Sequence, residues 1–556
     1  MVLKRVVQTA SLGLFAFAVW ALARDSGMSG PGVTLARFFL RLDPVLVLGV
    51  DIAARALAAS LWLAGVVALS GLVFGRAFCG NICPMGATLD VAGRFAGRTR
   101  RSRDPRGVAA ASGPGPRRIK YLVLAGVMAC ALCGTSLVFF VSPLSLVTRL
   151  YGLFFLPAAE LGARAALEAA DPLLRALDAK ALLYSSLPSH RFAGQLFIAT
   201  FFGTLFFLAR RDPRLWCRFI CPAGAVIALF SRRPALVARR VGEGCTGCGA
   251  CRRSCPMGAI PADPKATTFS ECIVCRACLG VCPEGVIAFT PWTGPHAGAA
   301  ASREPVLPSR REFLAAGVVG AGAALTMLTG LSEGVTADDS GGRPLSPAAV
   351  RPPGAVPEPD FLARCVRCGA CMRACPTNML QPALFSTGLA GLFSPLAVAR
   401  RGGCQPDCTA CGEACPTGAI RKLVPAERMW AKTGTAQVLR HKCLAWEFNR
   451  KCLVCDEVCP YNALEFRRAE GLDVAVPHVI EDKCTGCGWC ERHCPVTAVP
   501  AIRVEPMGAL RLAAGSYREA GRAMGLRIER RPKKRHIDPA APVREGGDGL
   551  PPGFTP

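Results

Sequence analysis

The stretch Ser309-Arg310-Arg311-Glu312-Phe313-Leu314, followed by the apolar run Ala315 to Leu331, divides the chain into two halves with similar chemistry. Paired arginines before Phe-Leu and a weakly hydrophobic, Gly/Ala-rich segment are typical of a twin-arginine export signal. Such a signal normally lies at an N-terminus, whereas Arg310 and Arg311 lie in the middle of this chain. The inner flank of an ordinary membrane span is the alternative interpretation of the same pair.

Cysteine is the residue type that decides the chemistry on both sides of this segment. The chain has 30 cysteines in 556 residues, and 24 of them fall into six groups of four that each end in Cys-Pro. A disulfide framework would place pairs at irregular spacings in a small secreted domain. No Cys-x-x-Cys-His occurs, so covalently attached c-type haem is not indicated. The repeated spacing therefore predicts metal centres.

The two groups before the crossing segment have the spacing Cys-x2-Cys-x2-Cys-x3-Cys-Pro. This is the run of bacterial two-cluster ferredoxins, in which the fourth cysteine of each group binds the neighbouring cluster. We expect one [4Fe–4S] cluster on Cys245, Cys248, Cys251 and Cys282, and a second on Cys272, Cys275, Cys278 and Cys255. Zinc is the alternative, but zinc sites usually consist of two separated Cys-x2-Cys halves.

Four further groups follow the crossing segment: Cys365, Cys368, Cys371 and Cys375; Cys404, Cys408, Cys411 and Cys415; Cys443, Cys452, Cys455 and Cys459; and Cys484, Cys487, Cys490 and Cys494. They predict four more [4Fe–4S] clusters, six in all. The spacing does not fix which groups exchange their fourth cysteine, and pairing first with fourth and second with third is our working hypothesis. The first gap is longer in the second and third of these groups, but all four share Cys-x2-Cys-x3-Cys-Pro. Disulfides are the competing use of cysteine outside the cytoplasm, and this fourfold repeat argues against them.

Apolar runs predict that the first half spans a membrane. Hydrophobic residues make up 51% of the chain and its mean hydropathy is +0.33, which is too apolar for an ordinary soluble enzyme. The predicted spans are Val6 to Ala23, Ala56 to Gly75, Tyr121 to Val141 and Phe192 to Ala209, with residues 143–191 as an external amphipathic helix and loop. Nine Lys/Arg against one aspartate in residues 94–120 place that loop in the cytoplasm. Such loops account for the net charge of +27 better than nucleic-acid binding does.

The first half also contains a repeated second pattern. Two Cys-x3-Cys-Pro elements follow the second and fourth spans, at Cys79 and Cys83 and at Cys217 and Cys221. Parallel repeats of two spans place both elements at the same, cytoplasmic, membrane surface. Their four thiols have three uses at this spacing: a further cluster, two redox dithiols, or small buried side chains. Cys130 and Cys133, inside the third span, are interpreted as packing residues.

Two family resemblances follow from these motifs. Residues 1–290, with four spans, two Cys-x3-Cys-Pro elements and a ferredoxin pair, resemble the NapH-type membrane iron–sulfur proteins and share that core with NosR-like and CcoG-like proteins. The segment from Ser309 through Pro352-Pro353-Gly354 and Asp360-Phe361-Leu362-Ala363-Arg364-Cys365 to Val504 resembles the NapG/MauM-type periplasmic ferredoxins. The resemblance implies a NapH-like and a NapG-like subunit fused in one chain, which in that family pass electrons from quinol toward a periplasmic reductase.

We therefore expect a multi-domain protein in which a polytopic α-helical membrane domain of four spans plus a crossing helix has α+β ferredoxin-like domains on both sides. The expected boundaries are 1–240 for the membrane domain, 241–290 for a cytoplasmic ferredoxin domain, 291–308 for a linker, 309–332 for the crossing helix, 333–358 for a linker, 359–504 for a periplasmic ferredoxin domain, and 505–556 for a short helix and a basic, partly disordered tail. His493, beside Cys494, is a candidate to tune a cluster by hydrogen bonding, with surface packing as the alternative.

The resemblance also implies a location, partners and a function. The protein is expected in a bacterial inner membrane, in contact with the quinone pool and with a periplasmic redox partner such as a cytochrome or reductase. It is expected to carry electrons, with quinone as a possible second cofactor, and no complete substrate active site stands out. The alternative function is a cofactor-assembly or metal-reducing maturation factor of the CcoG/NosR type, which would act through the four Cys-x3-Cys-Pro thiols.

Overall fold

Helices form the N-terminal part of the molecule, and two cysteine-rich regions contact this part at opposite ends. The computed structural model describes residues 2–24, 30–56, 61–95, 114–179, 190–210, 212, 214–291, 307–328, 349–384 and 386–531. The helical region (residues 2–230) contains α1 (Val2–Ala21), α2 (Pro31–Arg41), α3 (Pro44–Ala53), α4 (Leu61–Phe74), α5 (Ala77–Asn81), α6 (Pro84–Phe95), α7 (Pro114–Leu132), α8 (Pro143–Arg149), α9 (Leu156–Ala169), α10 (Asp171–Ala176), α11 (Gln195–Ala209) and α12 (Pro222–Phe230), with π-helical turns at Leu150–Phe155 and Trp216–Ile220.

Proline and short polar side chains determine where several of these helices begin. Helices α3 and α8 both start with proline, which lacks the N–H group that would have no partner in the first turn. The carboxylate of Asp43 accepts hydrogen bonds from the backbone N–H groups of Val45 and Leu46, and the hydroxyl of Ser142 accepts one from Ser145. Ser142 in turn donates to Asp43 over 2.6 Å, so the two buried helix starts are joined.

The first cysteine-rich region (residues 238–291) is a small α+β unit. Its strands β1 (Ala238–Val241) and β2 (Ile287–Thr290) pair antiparallel, with Ala238 opposite Thr290. Between them lie α13 (Ala250–Ser254) and 3₁₀ turns at Phe269–Glu271 and Leu279–Val281. The strand pair closes the chain around both cysteine groups, as in a ferredoxin-like unit.

The second cysteine-rich region (residues 349–531) repeats this construction. Its helices are α15 (Glu358–Arg364), α16 (Ala370–Arg373), α17 (Ala410–Ala414), α18 (Pro425–Arg428), α19 (Leu444–Phe448), α20 (Val454–Glu457), α21 (Trp489–His493) and α22 (Tyr517–Ala523). Its strands are β3 (Leu380–Pro382), β4 (Pro395–Ala397), β5 (Thr435–Val438), β6 (Leu464–Arg468), β7 (Ala475–Val479) and β8 (Ile502–Glu505), paired antiparallel as β3–β4, β5–β8 and β6–β7.

Helix α14 (Arg310–Leu328) corresponds to the segment that divides the sequence. It begins with a capping box, since the backbone N–H of Ser309 donates to Glu312 over 2.7 Å and that of Glu312 donates to the Ser309 hydroxyl over 3.3 Å. The helix lies alongside α7, and a Cβ atom added to Gly320 would lie 2.1 Å from the carbonyl oxygen of Gly126. Glycine at both positions therefore allows the two backbones to touch. The remainder of the predicted crossing segment, residues 329–332, lies outside the described residues.

Helix α7 shows that the two cysteine-rich regions lie at opposite ends of the helical region. Near its start, Arg117 donates to the carbonyl oxygen of Gly258 in the first region. Near its end, Ala131 packs in a small buried cluster with Ala363 of the second region. A helix of this length measures roughly 28 Å, so the helical region separates the two cysteine-rich regions.

The helices that are long and apolar enough to cross a membrane differ from the spans that the sequence predicts. Within the described residues, one helix is long and apolar enough to cross a membrane, and it runs over Pro143–Ala169, where the sequence predicts an external amphipathic segment. The second and fourth predicted spans correspond to shorter apolar helices, α4 and α11. Four spans thus stay a prediction. Most of the basic loop 94–120 and of both predicted linkers lies outside the described residues.

The C-terminal segment folds against the second cysteine-rich region further than the sequence predicts. Beyond the short helix α22, Arg527 binds Asp482 over 2.5 Å, Arg530 lies 2.7 Å from Asp407, and Arg531 donates to the carbonyl oxygen of Asp456 over 2.7 Å. These arginines belong to the run predicted as a basic tail. The remaining tail residues lie outside the described ones.

Candidate metal centres

The first cysteine-rich region brings its eight cysteines together as two crossed quartets. One cavity is lined by Cys245, Cys248, Cys251 and Cys282, and a second by Cys255, Cys272, Cys275 and Cys278. Each quartet takes three cysteines from one group and the fourth from the other. This is the exchange that the ferredoxin spacing predicts.

The second cysteine-rich region contains four quartets, which form two such pairs. Cavities lined by Cys443, Cys452, Cys455 and Cys494, and by Cys459, Cys484, Cys487 and Cys490, join the third and fourth groups. The thiols of Cys365, Cys368 and Cys371 lie close enough to Cys415 to interact with it electrostatically, and those of Cys404, Cys408 and Cys411 do so with Cys375. The first group therefore pairs with the second, and the hypothesis of first with fourth and second with third is wrong. Consecutive groups exchange because each pair closes within one short stretch of chain, as in the first region.

The quartets fit iron–sulfur clusters because hydrogen-bond donors converge on the sulfur atoms. Backbone N–H groups four residues further along donate to Cys255 over 3.3 Å and to Cys459 over 3.4 Å. The guanidinium of Arg428 donates to the sulfur of Cys404 over 2.8 Å, and that of Arg239 to Cys251 over 3.4 Å. Such bonds stabilise the negative charge of a thiolate-ligated cluster and set its reduction potential. Burial raises the pKa of Cys278 to about 11, so a buried thiol needs a bound cation to ionise.

Glycine determines the local shape of three of the cysteine loops. Gly249, Gly369 and Gly488 each follow the second cysteine of a group and have φ angles of 69°, 82° and 79°. Only glycine adopts this left-handed conformation without strain. It turns the chain into the short helix that presents the third cysteine.

The four Cys-x3-Cys-Pro thiols form one further quartet in the helical region. Cys83, Cys217 and Cys221 are each buried and interact electrostatically with one another and with Cys79. Cys130 is buried in α7 and interacts with its neighbour Cys133. Within the described residues, none of the cysteine groups is gathered tightly enough to hold a single metal ion, the ferredoxin quartets included.

Buried ionic contacts hold the two cysteine-rich regions on the helical region. At the first region, Glu271 accepts from Lys120 over 2.5 and 2.7 Å and from Arg76 over 3.0 Å, and all three side chains are fully buried. Burial alone would raise the pKa of Glu271, but the charges of Lys120 and Arg76 outweigh it and hold that pKa below its ordinary value. The carboxylate is therefore ionised at neutral pH.

At the second region, the contacts involve residues that the sequence did not single out. Arg373 forms an ion pair with Glu160, and the buried imidazole of His190 lies 3.2 Å from the carbonyl oxygen of Cys375. The Nδ1 of His493 lies 3.0 Å from the carbonyl oxygen of Trp489 and its ring stacks on that indole, as the packing interpretation predicts. The roles of Arg373 and His190 had no signal in the sequence, because both depend on what another part of the chain places nearby.

A cavity of about 530 Å³ lies where the helical region meets the second cysteine-rich region. Apolar side chains of α3 and α4 line it, together with Arg41, Asp51, Trp62 and the cluster-ligand candidate Cys415. Its volume is in the range of small-molecule sites. Arg41 donates to the carbonyl oxygen of Pro416 over 3.4 Å and so joins the two regions at the cavity.

Comparison with known proteins places the chain in a family. It is 43% identical over 228 residues to the methylamine utilization ferredoxin-type protein MauM of Methylorubrum extorquens, covering 40% of this chain and 99% of that protein. The chain belongs to the MauM/NapG family of ferredoxin-type proteins. The ferredoxin-type protein NapG of Escherichia coli is 35% identical over 223 residues, covering 38% of this chain and 92% of NapG. The ferredoxin-type protein NapF of the same organism is 32% identical, covering 27% of this chain and 84% of NapF.

Family models match several parts of the chain. One 4Fe-4S binding domain matches twice, at residues 55–103 and 194–242, which are the two Cys-x3-Cys-Pro repeats. Two 4Fe-4S dicluster domains match residues 244–287 and 450–498, and another 4Fe-4S binding domain matches residues 361–381. No solved structure matches the chain. The protein is thus an iron–sulfur, ferredoxin-type electron-transfer protein with multiple 4Fe-4S binding domains.

Proposed function

We propose that this protein is a membrane-bound conduit that relays single electrons, through six [4Fe–4S] clusters, between a quinol or cytoplasmic donor and a periplasmic reductase. The observation that carries the proposal is the position of the quartets. Two lie at one end of the helical region and four at the other. The clusters supply one-electron redox chemistry, and the protein supplies their positions.

Contacts between neighbouring quartets support a continuous path in the second cysteine-rich region. The backbone N–H of Cys404 donates to the carbonyl oxygen of Cys487 over 2.7 Å, which joins a quartet of the first pair to one of the second. The thiol of Cys404 also interacts electrostatically with that of Cys487. These contacts hold the two pairs side by side, so electrons pass between them without movement of the chain.

Exposed apolar side chains support a membrane location. Helix α4 exposes Trp62, Val66 and Leu69, α11 exposes Leu196, and α14 exposes Val318, all by half or more of their surface. Large exposed apolar side chains on three helices are what a surface in contact with a membrane presents. In the proposed orientation the first cysteine-rich region is cytoplasmic, α14 crosses outward, Arg310 and Arg311 act as its twin-arginine signal, and the second region is periplasmic.

The cavity beside Cys415 supports quinol as a donor. A cavity that combines apolar side chains with charged ones suits a lipid-soluble ring that carries polar oxygen atoms, and Asp51 and Arg41 offer contacts to those atoms. Contact of the cavity with Cys415 would bring such a ring next to a cluster. Electrons entering here would reach the second region without passing through the first.

Vesicle experiments test the proposal. The full chain, purified anaerobically, is reconstituted in liposomes with dithionite inside and the impermeant oxidant ferricyanide outside, with and without a quinone in the bilayer. We expect ferricyanide reduction by the wild type, and loss of most of it in Cys371→Ser, with Cys133→Ser as the matched control that keeps it. Equal rates in protein-free vesicles or in Cys371→Ser would refute the conduit.

A reporter enzyme that is active only outside the cytoplasm, fused to the C-terminus, tests the orientation. We expect activity with the full chain and loss of activity when Arg310 and Arg311 are both replaced by lysine. An active reporter in the lysine variant would contradict the twin-arginine signal and would favour α14 as an ordinary membrane span. Purified protein that reduces aqueous Cu²⁺ at the Cys-x3-Cys-Pro thiols but not ferricyanide would favour the maturation-factor alternative.

A further inference from the structure

The two Cys-x3-Cys-Pro repeats clasp each other through a reciprocal pair of arginines. Arg76, three residues before Cys79, donates to the carbonyl oxygen of Cys217 over 3.3 Å. Arg214, three residues before Cys217, donates to the carbonyl oxygen of Cys79 over 2.9 Å. Each repeat thus holds the first cysteine of the other, and the two repeats build one site instead of two.

A glycine in each repeat makes room for this clasp. A Cβ atom added to Gly224 would lie 2.5 Å from the guanidinium of Arg76, and one added to Gly86 would lie 2.8 Å from the carbonyl oxygen of Cys79. Both glycines stand three residues after the second cysteine of their repeat. The Cβ atom added to Gly86 would also lie 3.4 Å from the guanidinium of Arg214, so each glycine faces the arginine of the other repeat and the site has an approximate twofold arrangement.

Charge and hydrogen bonding at the site resemble those of the ferredoxin quartets. Arg76 and Arg214 are almost fully buried. Asp90 lies 2.7 Å from Arg214, whereas Glu271 lies 3.0 Å from Arg76 and is shared with Lys120. The backbone N–H of Gly224 donates to the sulfur of Cys221 over 3.3 Å, as Ala259 does to Cys255 in the first region. Arg76, Lys120 and Glu271 together carry a net positive charge beside the cysteine loops, which suits an anionic group.

The site lies between the two sets of quartets. On one side, a Cβ atom on Gly80 would lie 2.1 Å from the carbonyl oxygen of Ile273, so the Cys79 loop touches the loop between Cys272 and Cys275. On the other side, two contacts along α1 give the distance from the site to the second region. Ser11 donates to the carbonyl oxygen of Ile82 beside Cys83, and Val19 packs on Gly152 next to Arg373 of the second region. Eight residues of helix separate these levels by roughly 12 Å.

Apolar and aromatic side chains fill the gap between the site and the second region. Thr88, one turn beyond Cys83, lies 3.3 Å from the hydroxyl of Tyr151. Leu153, on the same π-helical turn, packs against Gly369 beside Cys368. One continuous hydrophobic core includes Cys83, Leu153 and Cys368, so buried side chains connect the site to the second region.

We propose that Cys79, Cys83, Cys217 and Cys221 together bind a seventh [4Fe–4S] cluster, which links the cytoplasmic and periplasmic clusters. The inference rests on the proposed conduit function for its role, but the ligand set rests on the clasp alone. Four thiolates select zinc or iron–sulfur clusters over other metals, and only the latter exchange electrons. Each electron that arrives from one neighbouring cluster leaves to the other, and no bond or proton changes place.

Iron and sulfide counting on the anaerobically purified full chain tests the ligand set. We expect about 28 iron and about 28 sulfide per wild-type chain, against about 24 of each for six clusters. Cys79→Ser and Cys217→Ser, which lie in different repeats, should each lose about four irons, and the double variant should lose the same four. The double variant Cys130→Ser/Cys133→Ser is the matched control in the same region and should lose none.

Other counts would overturn the proposal. A wild-type content of about 24 irons, or no loss in either serine variant, would leave the four thiols as dithiols or packing residues. Losses that add in the double variant would mean a separate site in each repeat, and loss of about two irons would exclude the four-iron cluster. Retention of the other clusters in each variant, followed by EPR, shows that the chain has folded.

A variant that keeps all four cysteines tests the clasp itself. Gly224→Ala should displace Arg76 and lower the occupancy of this cluster, with Gly93→Ala, where a Cβ meets open space, as the matched control. Failure of the conduit proposal would give a different result from failure of the seventh-cluster proposal. The wild type would then contain the seventh cluster but transfer no electrons across the vesicle membrane.

Discussion

Replacing Glu271 by glutamine is the sharpest test of how the first cysteine-rich region is attached. The carboxylate lies between Arg76 and Lys120, at 3.0 and 2.5 Å, and none of the three side chains is exposed. Glutamine keeps the shape but leaves two buried cations without a counter-charge. Breaking a buried ion pair in this way costs about 3–5 kcal/mol, which corresponds to an increase of about 150- to 4,000-fold in the equilibrium constant for local opening.

Native-state hydrogen exchange, followed by mass spectrometry, measures that opening. Because the pKa of Glu271 is depressed, its contribution is present above the ordinary glutamate pKa of about 4.3 and is lost only as the pH falls through the lower folded value. Exchange is therefore measured near pH 7, where the wild-type carboxylate is charged. We expect peptides covering residues 267–291 to exchange at least about 100 times faster in Glu271→Gln.

The matched control is Glu465→Gln, which removes an exposed carboxylate paired with Arg467 over 2.7 Å. Exposed pairs contribute at most about 1 kcal/mol, so exchange should change less than about fivefold. A change below about tenfold in Glu271→Gln, with iron content intact, would refute the reasoning that this triad holds the region in place.

Three further predictions follow from single contacts. Arg428→Leu removes a charged donor from the sulfur of Cys404 and should lower the reduction potential of that cluster by on the order of 60 mV in an EPR titration, and an unchanged potential would contradict this. Gly320→Leu should push α14 away from α7 and lower the thermal stability, whereas Gly317→Leu, where a Cβ meets open space, should not; equal effects would count against the packing. Cys375→Ser should alter the EPR signal of the cluster held by the second cysteine group, because Cys375 is its fourth ligand. A change in the first group's cluster instead would mean that the two groups do not exchange their fourth cysteines.

The cysteine chemistry and much of the local structure could be predicted from the sequence. The repeated spacing identified the six groups, because three cysteines in successive short gaps wrap around one cluster wherever they occur. The Ser309–Glu312 capping box marks the start of α14 equally well, since a cap depends on residues three positions apart.

Tertiary structure alone decided which groups act together. The pairing of Cys375 with the second group, the clasp of Arg76 on Cys217, and the placement of His190 against Cys375 join residues that are 29 to 185 positions apart. No spacing along the chain encodes such contacts, because they depend on how separate helices pack. The sequence determined what each cysteine group can bind; the packing of the helical region determined that the groups line up from one end of it to the other.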